Sequence, residues 1–222
     1  MKHLPNLLTL LNLVCGCLGI LALAEGHIEN TAYYVWAAGV FDFFDGFAAR
    51  ILKVSSPLGK DLDSLADMVS FGVLPSLFVY YALLEAGASP TLSYVALLVA
   101  VCSALRLAVF NNDPSQSDSF RGVPTPANTL FLTSLPFANH VVPVMDNPAL
   151  LAGIAVVFSL LLVSRFELFA LKFKNFGWAD NKLRYSFLLL ALILLAIFKL
   201  AAIPFIVILY IVVSLGSRVI SR

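Results

Sequence analysis

The chain has 222 residues, of which 60% are hydrophobic and only 12% charged, and its mean hydropathy is +0.94. A soluble globular domain is about half apolar and about a quarter charged, so this composition excludes an ordinary soluble domain and places the chain in the membrane class. The net charge of +1 says little about a partner, no nucleic acid is expected, and the length suits one transmembrane domain of packed helices over residues 1–222.

The start, Met1-Lys2-His3, runs straight into an apolar stretch. No small-residue cleavage site interrupts it before about Ala24, so residues 5–25 are predicted as a first transmembrane helix rather than a signal peptide. Cys15 and Cys17 lie two apart there and point to different sides of a helix. With Cys102 they read as small apolar packing residues, not a disulfide framework. Seven further segments follow, at 31–53, 61–86, 90–110, 125–144, 147–170, 184–200 and 203–220, each near the roughly 20 apolar residues a bilayer requires. The breaks carry turn chemistry, as in Ser55-Ser56-Pro57, Asn111-Asn112-Asp113-Pro114 and Asp146-Asn147-Pro148. The boundaries are softest at segment five, which holds Pro136 and Pro143, and between segments seven and eight before Pro204. The expected fold is all-α, a polytopic transmembrane bundle of about eight spans. With eight spans, thirteen of the Lys and Arg residues fall on one side and only Lys199 on the other. By the positive-inside rule both termini are then cytoplasmic, with the loops around Arg121 and Lys174 on that same side.

Segments two and three carry acids where lipid-facing helices should have none. Asp42 and Asp45 are spaced i, i+3 and Asp63 and Asp67 i, i+4, so each pair shares one helix face. Both pairs lie near the same ends of adjacent antiparallel helices, where four carboxylates can converge. An Asp at the centre of a membrane helix costs roughly 2.5–3.5 kcal/mol, and close like charges add repulsion. Arg50 and Lys60 offset part of this charge. Divalent cations do so better, because clustered carboxylates are hard oxygen ligands suited to Mg²⁺, Mn²⁺ or Ca²⁺. Gly46, beside Asp45, would let a ligand approach the backbone. A network of helix–helix salt bridges is the bland alternative, and four acids at helical spacing around one loop count against it.

The string Asp42-x2-Asp45-Gly46-x2-Ala49-Arg50-x8-Gly59-x3-Asp63-x3-Asp67 resembles the signature of the CDP-alcohol phosphotransferase family at every fixed position. The resemblance covers residues 42–67 in detail and the helical layout throughout. It implies that the hydroxyl of an acceptor alcohol attacks a CDP-linked lipid and that CMP leaves. It implies two divalent ions, Mg²⁺ or Mn²⁺, held by Asp42, Asp45, Asp63 and Asp67, with Asp67 also the general base. Gly46, Arg50, Ser56 and Gly59 are the implied contacts of the CDP portion, and a homodimer is the implied assembly. Four further stretches, Pro5–Leu13, Leu62–Val73, Ala104–Ala108 and Phe120–Ala127, resemble the serine-accepting branch of the family, the phosphatidylserine synthases. They add Asn6 and Thr9 as expected CDP-lipid contacts. They also imply CDP-diacylglycerol and L-serine as substrates and a multi-pass protein of the cell membrane whose active site faces the cytoplasm.

Arg106 and Arg121 stand at the expected cytoplasmic mouth. They are either positive-inside anchors or contacts for the lipid phosphate or the serine carboxylate, since Arg binds such groups bidentately. Lys172, Lys174, Lys182 and Arg184 read as a patch facing lipid headgroups. His3, His27 and His140 lie at different ends and form no metal cluster, and Asp61 falls off the face of the motif acids. Glycerol phosphate or inositol phosphate would be the alternative acceptors, but their phosphates call for more basic residues near the pocket. A cation transporter is the alternative of a different class. It would show broken helices in two related halves, and no second acidic pair appears in segments five to eight.

Overall fold

With no water to take their backbone hydrogen bonds, apolar segments in a bilayer satisfy them within helices. A computed structural model describes residues 3–54, 56–113, 120–168 and 177–220. Among these lie the α-helices α1 (Leu4–Ala24), α2 (Asn30–Leu52), α3 (Pro57–Asp67), α4 (Leu74–Glu85), α5 (Pro90–Ser93), α6 (Leu97–Asn112), α7 (Thr125–Ala138), α8 (Pro148–Leu162), α9 (Trp178–Phe198) and α10 (Ala202–Ile220). Among the described residues the fold is all-α apart from one short antiparallel ribbon, β1 (Phe120–Arg121) paired with β2 (Glu167–Leu168).

The number of spans differs from the expected eight. Among the described residues, four helical runs are long and apolar enough to cross a bilayer: Leu4–Ala24, Pro57–Glu85, Pro90–Asn112 and Asn181–Gly216. Segment 31–53 does form α2, but Asp42, Asp45 and Arg50 lower its hydropathy. α7 has 14 residues and α8 has 15, short of the roughly 20 required. Turn residues from Asn139 to Asn147 cut the apolar sequence there. Segments 184–200 and 203–220 run on as one apolar stretch, joined by a 3₁₀ turn at Lys199–Ala201. The placement of both termini in the cytoplasm is counted on eight spans and falls with them. The chain is a polytopic membrane protein on these four runs, and its outward faces fit that solvent. Leu7, Leu21, Val101, Leu105, Leu189 and Leu192 are all exposed.

Local signals set the joints. α1 ends at Glu25-Gly26-His27, where His27 N–H returns to the Ala22 carbonyl at 2.9 Å. The chain then turns back as α2, which packs along α1. α2 stops at Lys53, whose φ of 51° is left-handed. Ser56 caps α3 by accepting the Gly59 N–H at 3.0 Å, with Pro57 pre-set for the first turn. Asn147 caps α8 in the same way, accepting from Leu150 N–H at 3.0 Å. Gly122 has φ +74°, and a Cβ there would strike the Leu162 carbonyl. Only glycine lets the ribbon close on the end of α8. The main core sits between α4, α6, α7, α8 and α10 and holds Phe78, Val79, Val99, Leu132, Leu151 and Phe158. A second, smaller cluster of Cys15, Ala38 and Phe71 joins α1, α2 and the turn after α3. None of the three cysteines is disulfide-bonded; Cys15 and Cys102 are buried and Cys17 is exposed.

Candidate active site

Helical spacing brings the acids together. Asp42 from α2 and Asp63 and Asp67 from α3 each offer a carboxylate oxygen, and these oxygens lie within 4.8 Å of one another. Asp45 stands three residues on from Asp42, rotated about 60° around the helix axis. Its Oδ2 accepts from Thr9 Oγ1 at 2.7 Å, and the residue is 6% exposed. Thr9 Oγ1 also lies 3.0 Å from the Pro5 carbonyl. One turn further along α1, Asn12 Nδ2 donates to Asp67 Oδ1 at 3.3 Å. α1 therefore fastens one acid of each of the other two helices.

A π-helical turn, Met68–Val73, separates Asp67 from α4. Such turns contain one residue more than an α-turn and often mark functional positions. Neighbouring side chains tie this one down. Ser70 Oγ donates to the Asn12 carbonyl at 3.0 Å, and Thr129 Oγ1 of α7 donates to the Phe71 carbonyl at 2.9 Å. α1 crosses so close that a Cβ on Gly16 would collide with Ser70, at 3.0 Å from its Cα and nearer still to its Oγ.

Beside the acids opens a cavity of about 740 Å³ lined by Asn6, Thr9, Asp45, Gly46, Ser56, Gly59 and Asp63, with His3, Lys53 and Lys60 at its margin. A nucleoside diphosphate fits that size range, since small-molecule pockets run to roughly 300–1,000 Å³. Asn6 closes on the start of α3, its Oδ1 lying 3.3 Å from where a Cβ on Gly59 would sit. Arg50 is exposed, and its Nε donates to the Gly46 carbonyl at 3.0 Å, so it folds along its own helix. Lys60 Nζ reaches the Asn111 carbonyl at 2.6 Å, and Asn111 in turn donates to Ser64 at 2.6 Å, pinning α3 to α6.

The two arginines part company. Arg106 is 8% exposed on α6, stacks its guanidinium 6.0 Å from the Phe110 ring centroid, and lies close enough to Asp67 for their charges to interact. It is absent from the lining of the cavity. Arg121 lies in β1 opposite Glu167; its side chain is outside the described residues, as are Lys172 and Lys174. Asp61 is exposed.

The donor set fits a divalent ion. Three hard carboxylate oxygens converge, and Asn12 Oδ1 is buried beside them without a partner. Clustered carboxylates of this kind suit Mg²⁺ or Mn²⁺, so the three aspartates could coordinate one. Asn12 was not among the sequence candidates. Its signal was present in the chain, because Asn6, Thr9 and Asn12 are polar residues at successive i, i+3 spacings in an otherwise apolar helix. Polar residues inside membrane helices mark sites by default.

Comparison with known proteins agrees with this geometry. The profile of the CDP-alcohol phosphatidyltransferase family matches residues 2–165. A CDP-diacylglycerol–serine O-phosphatidyltransferase of Bacillus subtilis is 36% identical over 171 residues, covering 75% of this chain and 90% of that protein. The same-named protein of Helicobacter pylori strain J99 is 29% identical over 195 residues, 86% of this chain and 78% of the other. An archaetidylserine synthase of Methanothermobacter thermautotrophicus is 34% identical over 134 residues, 59% of this chain and 56% of the other. With three signature aspartates converged at the buried junction of α2 and α3 and the family profile spanning α1 to α8, this chain belongs to the CDP-alcohol phosphatidyltransferase family of enzymes.

Proposed function

We propose that the protein transfers a phosphatidyl group from CDP-diacylglycerol to the hydroxyl of L-serine, releasing CMP. The observation that carries the reading is the carboxylate cluster of Asp42, Asp63 and Asp67, whose Asp63, with Asp45, lines a cavity of nucleotide size. The likeness to serine phosphatidyltransferases over most of the chain supports the choice of acceptor. In this reading the serine oxygen forms a bond to the phosphatidyl phosphorus. The bond from that phosphorus to the bridging oxygen breaks, and CMP departs with the electron pair. Asp67 takes the hydroxyl proton and passes it to solvent. Asn12 holds one Asp67 oxygen and leaves the other for the base role. Bound Mg²⁺ or Mn²⁺ would polarise the diphosphate and neutralise the leaving phosphate. Asp42, Asp63 and Asp67 would hold one ion and Asp45 would serve a second. Asn6, Thr9, Gly46, Ser56 and Gly59 would receive the CDP portion, with Arg50 swinging from the Gly46 carbonyl to the phosphates. Arg106 would face the acceptor, as would Arg121 by its sequence context.

The site would face the cytoplasm. The end of the bundle that carries it holds Arg50, Lys53 and Lys60, while the opposite ends of α1, α2 and α4 hold Glu25, Glu29 and Glu85 with no Lys or Arg. Positive charge favours the cytoplasmic side. A homodimer and a single domain over residues 1–222 complete the proposal. The test is product identification by mass spectrometry with purified protein, CDP-diacylglycerol and a panel of L-serine, glycerol 3-phosphate and inositol phosphate. Phosphatidylserine is the expected product. Preferential use of either phosphorylated acceptor would refute serine as the acceptor and leave the family standing.

A further inference from the structure

Apart from the residues that line the nucleotide cavity, several polar atoms on α6 and α7 are buried without partners. Asn128 of α7 is wholly buried, and both its Nδ2 and its Oδ1 lack hydrogen-bond partners. Arg106 Nε and Ser103 Oγ on α6 are in the same condition. An unmet buried amide forfeits its hydration with nothing in return, so such atoms call for an occupant.

The helices bring both sets of groups against the π-turn that follows Asp67. Ser103 and Arg106 are spaced i, i+3 and share a face of α6. That face meets the π-turn, since Ser103 Cβ lies 3.3 Å from where a Cβ on Gly72 would sit. Thr129, next to Asn128, donates to Phe71 of the same turn. Asn128 is one residue nearer the aspartate end of α7, which puts it within about one helical turn, roughly 5 Å along the axis, of the level of Asp67. The backbone of this turn therefore stands between α6 and α7, with Arg106 and Asn128 at its aspartate end.

We infer that Asn128, acting with Arg106, reads the zwitterionic α-amino-acid end of the acceptor while the hydroxyl is presented to Asp67. An amide has both halves of the required chemistry. Its Nδ2 donates to a carboxylate and its Oδ1 accepts from an ammonium. Arg106 adds a fixed positive charge for the carboxylate. A phosphorylated polyol would offer the Asn128 Oδ1 hydroxyls but no ammonium. The inference rests on the serine-transferase reading and extends it to a residue that the signature does not contain.

The test uses Asn128→Leu, close in shape and without polar atoms, in the full-length protein in detergent or nanodiscs. A binding residue with unmet buried atoms is expected to lose function while gaining or holding stability. The KM for L-serine should rise by roughly 10- to 150-fold, the loss of one contact to a charged group. The KM for CDP-diacylglycerol should hold, and the Tm should hold or rise. An unchanged serine KM would overturn the inference. So would a loss of Tm together with both substrate dependences, which marks Asn128 as structural; where leucine does not fit, Asn128→Ala is read by the same criteria. Failure of the serine reading itself shows earlier and separately, as an absence of serine-dependent CMP release by the unmodified protein, and would remove both.

Discussion

Replacing Gly16 with alanine is expected to damage catalysis more than stability. The new Cβ would sit 3.0 Å from Ser70 Cα and closer to its Oγ. Carbon–carbon contact needs about 3.5–4.0 Å, so α1 and the π-turn must part by roughly 0.5–1 Å. Overpacking of this kind costs about 1–3 kcal/mol, and alanine recovers about 1 kcal/mol of helix propensity over glycine. The net loss of stability is then about 0–2 kcal/mol. The catalytic effect is larger, because the same movement stretches two bonds in series. Ser70 holds the Asn12 carbonyl at 3.0 Å, and Asn12 holds Asp67 at 3.3 Å, already at the long end for an N–H···O bond. Losing a hydrogen bond to a charged group costs about 1.5–3 kcal/mol, so kcat should fall by roughly 10- to 150-fold. The assay is the initial rate of CMP release at saturating substrates, read beside thermal unfolding in detergent. Gly153→Ala is the control, since a Cβ at Gly153 meets nothing within 4 Å. A Gly16→Ala protein with unchanged Tm and unchanged kcat would refute both the close crossing of α1 and its role in holding Asp67.

Asp67→Asn is expected to lower kcat by roughly 10²- to 10⁴-fold, the usual share of a general base, with the KM for CDP-diacylglycerol little changed; near-normal turnover would remove Asp67 from that role. Excess EDTA should abolish activity and Mg²⁺ or Mn²⁺ restore it, the outcome expected where the three converged carboxylates hold a catalytic divalent ion; full turnover in EDTA would refute the metal reading. Thr9→Val keeps the shape but removes the hydroxyl 2.7 Å from Asp45 Oδ2, and the KM for CDP-diacylglycerol should rise by about 10-fold or more. An unchanged KM would show that Asp45 needs no help from α1 in holding the donor.

The acids were legible because helix periodicity is a local property. Spacings of three and four put Asp42 on one face of α2 and Asp63 with Asp67 on one face of α3 without knowledge of any other helix. Asp45 shows where that reasoning stops. The same spacing that pairs it with Asp42 leaves it rotated toward α1, and only the packing reveals Thr9 as its partner. The spans were less legible, since leucine and phenylalanine look alike whether they face lipid or protein. Residues 125–144 and 147–170 read as long apolar segments, yet α7 and α8 end early at turn residues and become short helices. The π-turn leaves no pattern of its own in Met68–Val73. It depends on bonds from Ser70 to α1 and from α7 to Phe71, which join residues 58 apart in the chain.

The π-turn also gives the chain a reserve of one residue between Asp67 and α4. Because the turn holds one residue more than an α-turn, removing one residue from Met68–Val73 lets the helix relax to α-form with its flanks in nearly the same relative orientation. The same deletion in the regular first turn of α4, before Phe78, has no such reserve, and everything before it would turn by about 100° relative to everything after it. Since α4 is anchored in the main core by Phe78, Val79 and Leu83, that rotation would fall on α3, carrying Asp63 and Asp67 away from Asp42. Activity should therefore survive one lost residue at the π-turn and none just beyond it.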